Sequence, residues 1–189
     1  MIKIGVILSS TRPGRFSEIS GNWIANLAKA RGDMEVELLD LREYPLPFLD
    51  VEVPPAYAPV ENPVAQRWQK KLAEKDGFIV AASEYNRGPT GVMKNALDWA
   101  YNEWNRKAIA FVGHGSAGGA RAIEQLRLNA VELQMAPVRQ GVHIMWPTVT
   151  EILGGKPIES FDFLQNDAKL LLDNLAWWAE ALKAARAKG

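Results

Sequence analysis

At 189 residues the chain is long enough for one well-cored domain and short for two. Its 22 basic and 22 acidic side chains cancel, which argues against a nucleic-acid binder and against an acidic carrier that docks by charge. It contains no cysteine, which excludes disulfides, thiolate nucleophiles and Cys-ligated metals.

The first element, IKIGVIL (residues 2–8), reads as a buried strand. It is too short for a signal-peptide core, and no apolar run approaches the roughly 18 residues of a membrane span, so a cytoplasmic protein with no membrane partner is expected. The strand breaks into LSSTRPGR (8–15), where hydroxyls give way to Arg12 and Arg15 around Pro13 and Gly14. EVELLDL (35–41) is a second strand. The Pro-rich stretch YPLPFLDVEVPPAYAPVENP (44–63) lacks a helical period and predicts a long surface loop, of a length that often carries function. Val64, Trp68 and Leu72 then mark a helix started by Asn62 as N-cap and Pro63 in its first turn, and stopped near Gly77. GFIVAAS (77–83) is strand three, followed by the turn SEYNRGPTG (83–91). Thr90 should N-cap the next helix, whose apolar stripe reads Met93, Leu97, Tyr101 and Trp104. AIAFVG (108–113) is strand four; after the glycine loop GHGSAGG (113–119), Ile123, Leu126, Ala130 and Leu133 mark a helix. GVHIM (141–145) is a short fifth strand, and Leu171, Leu175, Trp178 and Leu182 form the stripe of a C-terminal helix. Short apolar strands alternating with helices predict an α/β fold: a doubly wound, five-stranded parallel sheet covered on both faces, one domain over residues 1–189.

In such a sheet, ligands bind beyond the carboxyl ends of the strands. After strand one, helix-entry amides, Ser and Thr hydroxyls and an Arg fork suit an anion, and a phosphate is the favoured reading. No Gly-Lys-Ser/Thr follows, so this is not the phosphate loop of nucleotide triphosphatases. After strand three, an aromatic, an amide and a carboxylate held in a turn by Gly88 and Pro89 suit a flat heterocycle. After strand four, GHGSAGG formally matches G-x-G-x-x-G. It follows the wrong strand for a dinucleotide fingerprint and lacks the acidic residue downstream. It reads instead as a loop whose glycines let backbone amides approach a planar ligand.

Together, SSTRPGR, EYNRGPTGVMKNALDW and GHGSAGGARAIEQLR, in this order and spacing, resemble the NAD(P)H-dependent FMN reductase family of flavodoxin-like fold. The similarity takes in LDLREYPLP after strand two and covers most of residues 1–135. The resemblance implies FMN as cofactor and NADPH or NADH as co-substrate. It implies a first loop that binds the FMN phosphate, through Ser10, Arg12, Arg15 and Ser17 with Phe16 among them. Glu84, Tyr85 and Asn86 would line one side of the isoalloxazine ring, and Gly115, Ser116 and Gly118 the other. It also implies a homodimer or homotetramer with the flavin near the subunit interface. Three positions depart from the family's usual pattern: Ser83 stands where Pro is common, and His114 where Tyr is often found. Ser116 stands where Gly is frequent.

Flavin carries hydride and single electrons itself, so no catalytic side chain is needed, which suits a chain with two histidines and no nucleophile–base pair. Glu84 could serve either the flavin or the backbone of its own turn. His114, read as a loop residue, is open between a site and a neutral surface role, and His143 reads as a core or edge-strand histidine. Seven tryptophans are many for this length; Trp99, Trp104, Trp177 and Trp178 do not obviously share one core, which suggests a subunit interface. The reading is an FMN-dependent oxidoreductase that takes hydride from NAD(P)H and reduces a small-molecule acceptor: flavin, quinone, azo dye or metal oxyanion. The alternatives are a flavodoxin-like electron carrier and a flavin-free binding module on the same fold.

Overall fold

The computed structural model describes residues 1–188. Five strands, β1 (Ile2–Leu8), β2 (Met34–Asp40), β3 (Gly77–Ser83), β4 (Ala108–Gly115) and β5 (Ala136–Met145), form one all-parallel sheet in the order β2-β1-β3-β4-β5. Strand alternation sends Ile4, Val6, Ile79, Ala110 and Val112 to one face and Ile7, Phe78, Val80, Ile109 and Phe111 to the other. Helices α1 (Phe16–Ala30), α5 (Trp146–Leu153) and α6 (Asp162–Arg186) cover the first face. Helices α2 (Pro63–Ala73), α3 (Gly91–Asp98) and α4 (Ala120–Glu132) cover the second. Both faces are therefore dry, and the central strands can be apolar throughout. This is the flavodoxin-like α/β architecture expected from the sequence.

The capping signals are realised. The Asn62 side chain accepts from the amides of Val64 and Ala65 at 2.9 and 3.1 Å, with Pro63 opening α2. Thr90 caps α3 by accepting from Met93 N at 3.1 Å. Residues 44–62 form no helix or strand, as their proline content predicts.

Elsewhere the element bounds differ from the sequence reading. α2 ends at Ala73, short of Gly77, which opens β3 as expected. α3 ends at Asp98, so Tyr101 and Trp104 are not helical. Trp104 is nonetheless fully buried; its indole N–H donates to the Leu97 carbonyl in the last turn of the helix. β4 runs on to Gly115, making His114 a strand residue. β5 begins at Ala136, because an edge strand tolerates Pro137 and the polar pair Arg139–Gln140. In α6 the core positions are Leu164, Ala168, Leu171, Leu172, Leu175 and Ala179, while Trp178 lies outward. Trp99 and Trp104 do share one core, with Trp68; Trp177 and Trp178 remain exposed.

Candidate functional site

The order β2-β1-β3-β4-β5 reverses direction between β1 and β3, and the loops after β1, β3 and β4 meet there. In the first loop the two arginines have opposite fates. Arg15 is buried at the N-cap of α1, and its guanidinium grips both oxygens of Asp40 at the end of β2. It also donates to the Ser10 carbonyl at 2.7 Å and to Glu18 at 3.4 Å. Burial alone would push the Asp40 carboxyl up, but the Arg15 hydrogen bonds and the Arg42 amide hold it below the usual range. The resemblance assigns Arg15 to a phosphate, but here four of its donor directions are spent inside the protein, where it braces the loop. Arg42 adds a second brace by donating to the carbonyls of Thr11 and Arg12 at 3.1 and 2.7 Å.

Arg12 is exposed, and among the described residues its guanidinium pairs with no carboxylate; it lies 5.8 Å from the centre of the Tyr85 ring. Ser10 is buried, with its hydroxyl 2.8 Å from the Tyr85 hydroxyl. Ser17, in the first turn of α1, is fully buried with a hydroxyl that has no partner. α1 also lacks a side-chain N-cap hydrogen bond. A buried hydroxyl without a partner costs about 1–3 kcal/mol unless a ligand supplies one. A free hydroxyl beside the open amides of a helix start suits an anion.

The second loop is a two-residue turn. Tyr85 and Gly88 exchange backbone hydrogen bonds of 3.0 and 3.1 Å, which places Asn86 (φ 50°) and Arg87 (φ 69°) in the left-handed region. Strain of this kind at a non-glycine pair is characteristic of ligand-contacting turns. Glu84 does not point outward. Its side chain is buried, pairs with the Arg121 guanidinium and accepts from the Arg121 amide at 3.0 Å. Burial pushes its carboxyl up, and the hydrogen bonds from Arg121 and the adjoining amides override this and bring it down. Of the two roles open to Glu84, the structure shows it serving backbone, of α4 rather than of its own turn. Arg121 also donates to Ser116 at 2.9 Å, so one arginine ties the second loop to the third.

In the third loop Gly115, Gly118 and Gly119 all have positive φ (146°, 60° and 72°). His143, exposed on the edge strand, has its Nδ1 3.1 Å from the Gly118 carbonyl and steadies this loop. Two of the three departures noted in the sequence turn out to be neighbours. Ser83 and His114 pair in register on β3 and β4, with Ser83 Oγ 2.9 Å from His114 Nε2. The His114 ring is buried under Phe16, ring centres 5.0 Å apart, and its Nδ1 has no partner.

Burial pushes the His114 pKa from 6.5 down to about 4. The unfolded chain therefore takes up a proton near pH 6.5 that the fold refuses until about pH 4. Stability contributed above pH 6.5 is lost as pH falls through that window, at about 1.4 kcal/mol per unit. Between pH 7 and 5, His114→Asn should lose about 2 kcal/mol less than wild type in denaturant titrations. Equal losses would contradict the buried neutral imidazole.

Two cavities flank the Arg12–Tyr85 pair. The larger, about 880 Å³, has a mostly apolar wall that includes Leu41, Tyr44, Leu46, Phe48 and Val92. The smaller, about 110 Å³, is bounded by Gly14, Phe16, Glu84, His114, Gly115 and Trp146. The large cavity's Pro-rich wall was foreseen only as a surface loop. Trp146, Val149 and Leu153 of α5, which close the small one, were not foreseen, since residues 146–153 gave no helical stripe long enough to read.

The model of the NADPH-dependent FMN reductase family matches residues 2–146. The chain belongs to that family. An NAD(P)H-dependent FMN reductase of Nectria sp, ntnL, is 31% identical over 192 residues, spanning 97% of this chain and 90% of that protein. An NAD(P)H:quinone oxidoreductase of Solanum tuberosum is 37% identical over 142 residues, 71% of this chain and 70% of the other. Among solved structures, the flavoenzyme NAD(P)H:(acceptor) oxidoreductase FerB of Paracoccus denitrificans superposes with TM-score 0.78 at 22% identity, covering 96% and 98% of the two chains, and shares the fold. The FMN reductase fold and the residues here agree: an unpartnered Ser17 hydroxyl, an uncommitted Arg12 and a glycine loop fit a phosphorylated planar cofactor. Among the described residues no helix is long and apolar enough to cross a membrane.

Proposed function

We propose that the chain is an FMN-dependent oxidoreductase that takes hydride from NADPH or NADH and reduces a planar acceptor, a flavin or a quinone, with azo dyes and metal oxyanions as further candidates. Among residues, the observation that carries this reading is the buried, unpartnered hydroxyl of Ser17 at the start of α1, the helix that follows the Arg12 loop. Ser17, Arg12 and the first amides of α1 would hold the phosphate. Ser10, Phe16, Tyr85, Asn86, Gly115, Ser116 and Gly118 would surround the rest of the cofactor, with Arg15 and Glu84 as braces behind them. When bound, FMN supplies a ring that accepts hydride and passes on one or two electrons. The residues here orient it and exclude water. The Glu84–Arg121–Ser116 brace fixes the second and third loops against each other, and Gly115 lets backbone come close where a Cβ would not. The 880 Å³ cavity has the size and apolar wall for planar rings such as a nicotinamide or a quinone.

Residues 1–189 would act as one flavin-binding unit in the cytoplasm, assembled as a homodimer or homotetramer. Exposed Phe163, Leu170 and Trp177 recur every seven residues on α6, and Phe48 and Tyr57 stand out from the long loop, more apolar surface than a monomer needs. Sedimentation showing only monomer at micromolar concentration would end the assembly reading.

The activity is tested by steady-state oxidation of NADPH and NADH with FMN supplied and a panel of quinone and flavin acceptors. FMN binding without NAD(P)H turnover would instead indicate an electron carrier, and a protein that takes up no FMN would indicate a flavin-free module. Ser17→Ala probes the site. A hydrogen bond to a charged group is worth about 1.5–3 kcal/mol, so FMN should bind about 10- to 100-fold more weakly. Riboflavin affinity should hardly change, and the flavin-free protein should be no less stable, because the hydroxyl has no partner to lose. Equal weakening of FMN and riboflavin in a calorimetric titration would place the phosphate elsewhere.

A further inference from the structure

The small cavity between the three loops and α5 contains one polar group that the phosphate reading leaves unused. His114 forms part of its wall beside Gly14, Glu84, Gly115 and Trp146. The residue is 7% exposed, and its Nδ1 has no partner. The other ring nitrogen lies 2.9 Å from Ser83 Oγ, and among the described residues that hydroxyl has no other partner.

Counting hydrogens decides the tautomer. If Ser83 donates to Nε2, the imidazole proton sits on Nδ1 and a single N–H is left to satisfy. If Nε2–H donates to Ser83 instead, two groups go unsatisfied: the serine hydrogen and the Nδ1 lone pair. Unmet buried polar groups are costly, so the arrangement with one is preferred. The Phe16 ring over the imidazole and the β3–β4 register hold the ring in place. Burial also keeps it neutral near pH 7, so an N–H donor is available without a positive charge.

We propose that Ser83 locks His114 in its Nδ1–H tautomer and that this N–H donates a hydrogen bond to an oxygen of bound FMN. This rests on the flavin reading above and adds to it a donor outside the first loop, on β4. The acceptor oxygen belongs either to the phosphate or to the ribityl–ring portion, and the two are separable by ligand.

Three variants and two readouts test it. In ¹⁵N–¹H spectra of the wild type, His114 Nδ1 should appear protonated, and its proton should move downfield when FMN is added. His114→Phe and His114→Gln, which lack a donor at the Nδ1 position, should bind FMN about 3- to 10-fold more weakly for a neutral acceptor. For a phosphate oxygen the loss should be about 10- to 100-fold. His114→Asn places an amide nitrogen near the Nδ1 position and should stay within about threefold of wild type. The riboflavin titration tells which oxygen is used: a penalty that persists assigns the ribityl–ring portion, and one that vanishes assigns the phosphate. Ser83→Ala leaves the imidazole but frees its tautomer, and should weaken FMN by about threefold with a mixed Nδ1 signal. If wild type and His114→Phe bind FMN equally, or if Nδ1 is unprotonated in the complex, the proposal is wrong while the flavin site stands. If the wild type itself takes up no FMN, both fall together.

Discussion

Replacing Arg15 by methionine is expected to lower the unfolding free energy by about 2–4 kcal/mol, as large an effect as any single charge in the molecule should give. The Arg15 side chain is 1% exposed and Asp40 only 22%, so the variant leaves a half-desolvated carboxylate and the Ser10 carbonyl without their donor. Breaking a buried pair from one side costs about 3–5 kcal/mol, and the partial exposure of Asp40 lowers that somewhat. Methionine keeps the packing of the stem, so the loss reports the charge. Adding Asp40→Asn to the same chain should recover part of it, since no unpaired charge then remains. In ligand titrations FMN and riboflavin should weaken together, because Arg15 and Asp40 set the course of the loop and do not touch the phosphate. Urea denaturation unchanged from wild type, with FMN alone weakened, would return the guanidinium to the phosphate site.

That expectation reverses what residues 8–15 suggest on their own. The sequence shows two arginines in a loop rich in hydroxyls, and nothing local distinguishes them. The distinction is tertiary: Asp40 lies 25 positions away and meets Arg15 because β2 pairs with β1 in register, Leu8 opposite Asp40. Glu84 was ambiguous for the same reason, its partner Arg121 lying at the start of another helix. Signals that act within a few residues were legible: the Asn62 and Thr90 caps, the Pro-rich loop, the five apolar strands. Element ends that depend on distant groups were not. At the end of α3, which stops at Asp98, indoles from distant positions take up carbonyls, with Trp104 serving Leu97 and Trp68 donating to Ala96 at 2.8 Å. The first five residues of β5 were hidden because an edge strand need not be apolar. His114 looked like a loop residue since glycine follows it. Only the sheet register places it beside Ser83 and under Phe16.

Gly119→Ala should be the most damaging small substitution, costing about 2–5 kcal/mol and disordering the third loop. Gly119 is the N-cap of α4, with φ 72° and ψ 10°, a conformation that costs an L-residue about 1–2 kcal/mol. A Cβ there would also stand 2.7 Å from both Gly113 Cα and His114 N. These are backbone atoms of a central strand, so no rotamer change can relieve the overlap, and overpacking adds about 1–3 kcal/mol. Moving α4 outward is resisted by its own N-terminal tie, since the Arg121 amide and guanidinium are held by Glu84. Flavin affinity should therefore drop along with stability, because the same displacement shifts Gly115 and Ser116 away from Glu84. Gly14→Ala is the control for the backbone contribution alone: its φ is 63°, and no atom lies within 4 Å of the added carbon. It should cost about 1–2 kcal/mol. The difference between the two variants in denaturant melts then measures the Gly113–Gly119 contact. Equal costs would show that α4 can yield, and that the close approach of helix and strand is not what sets the third loop.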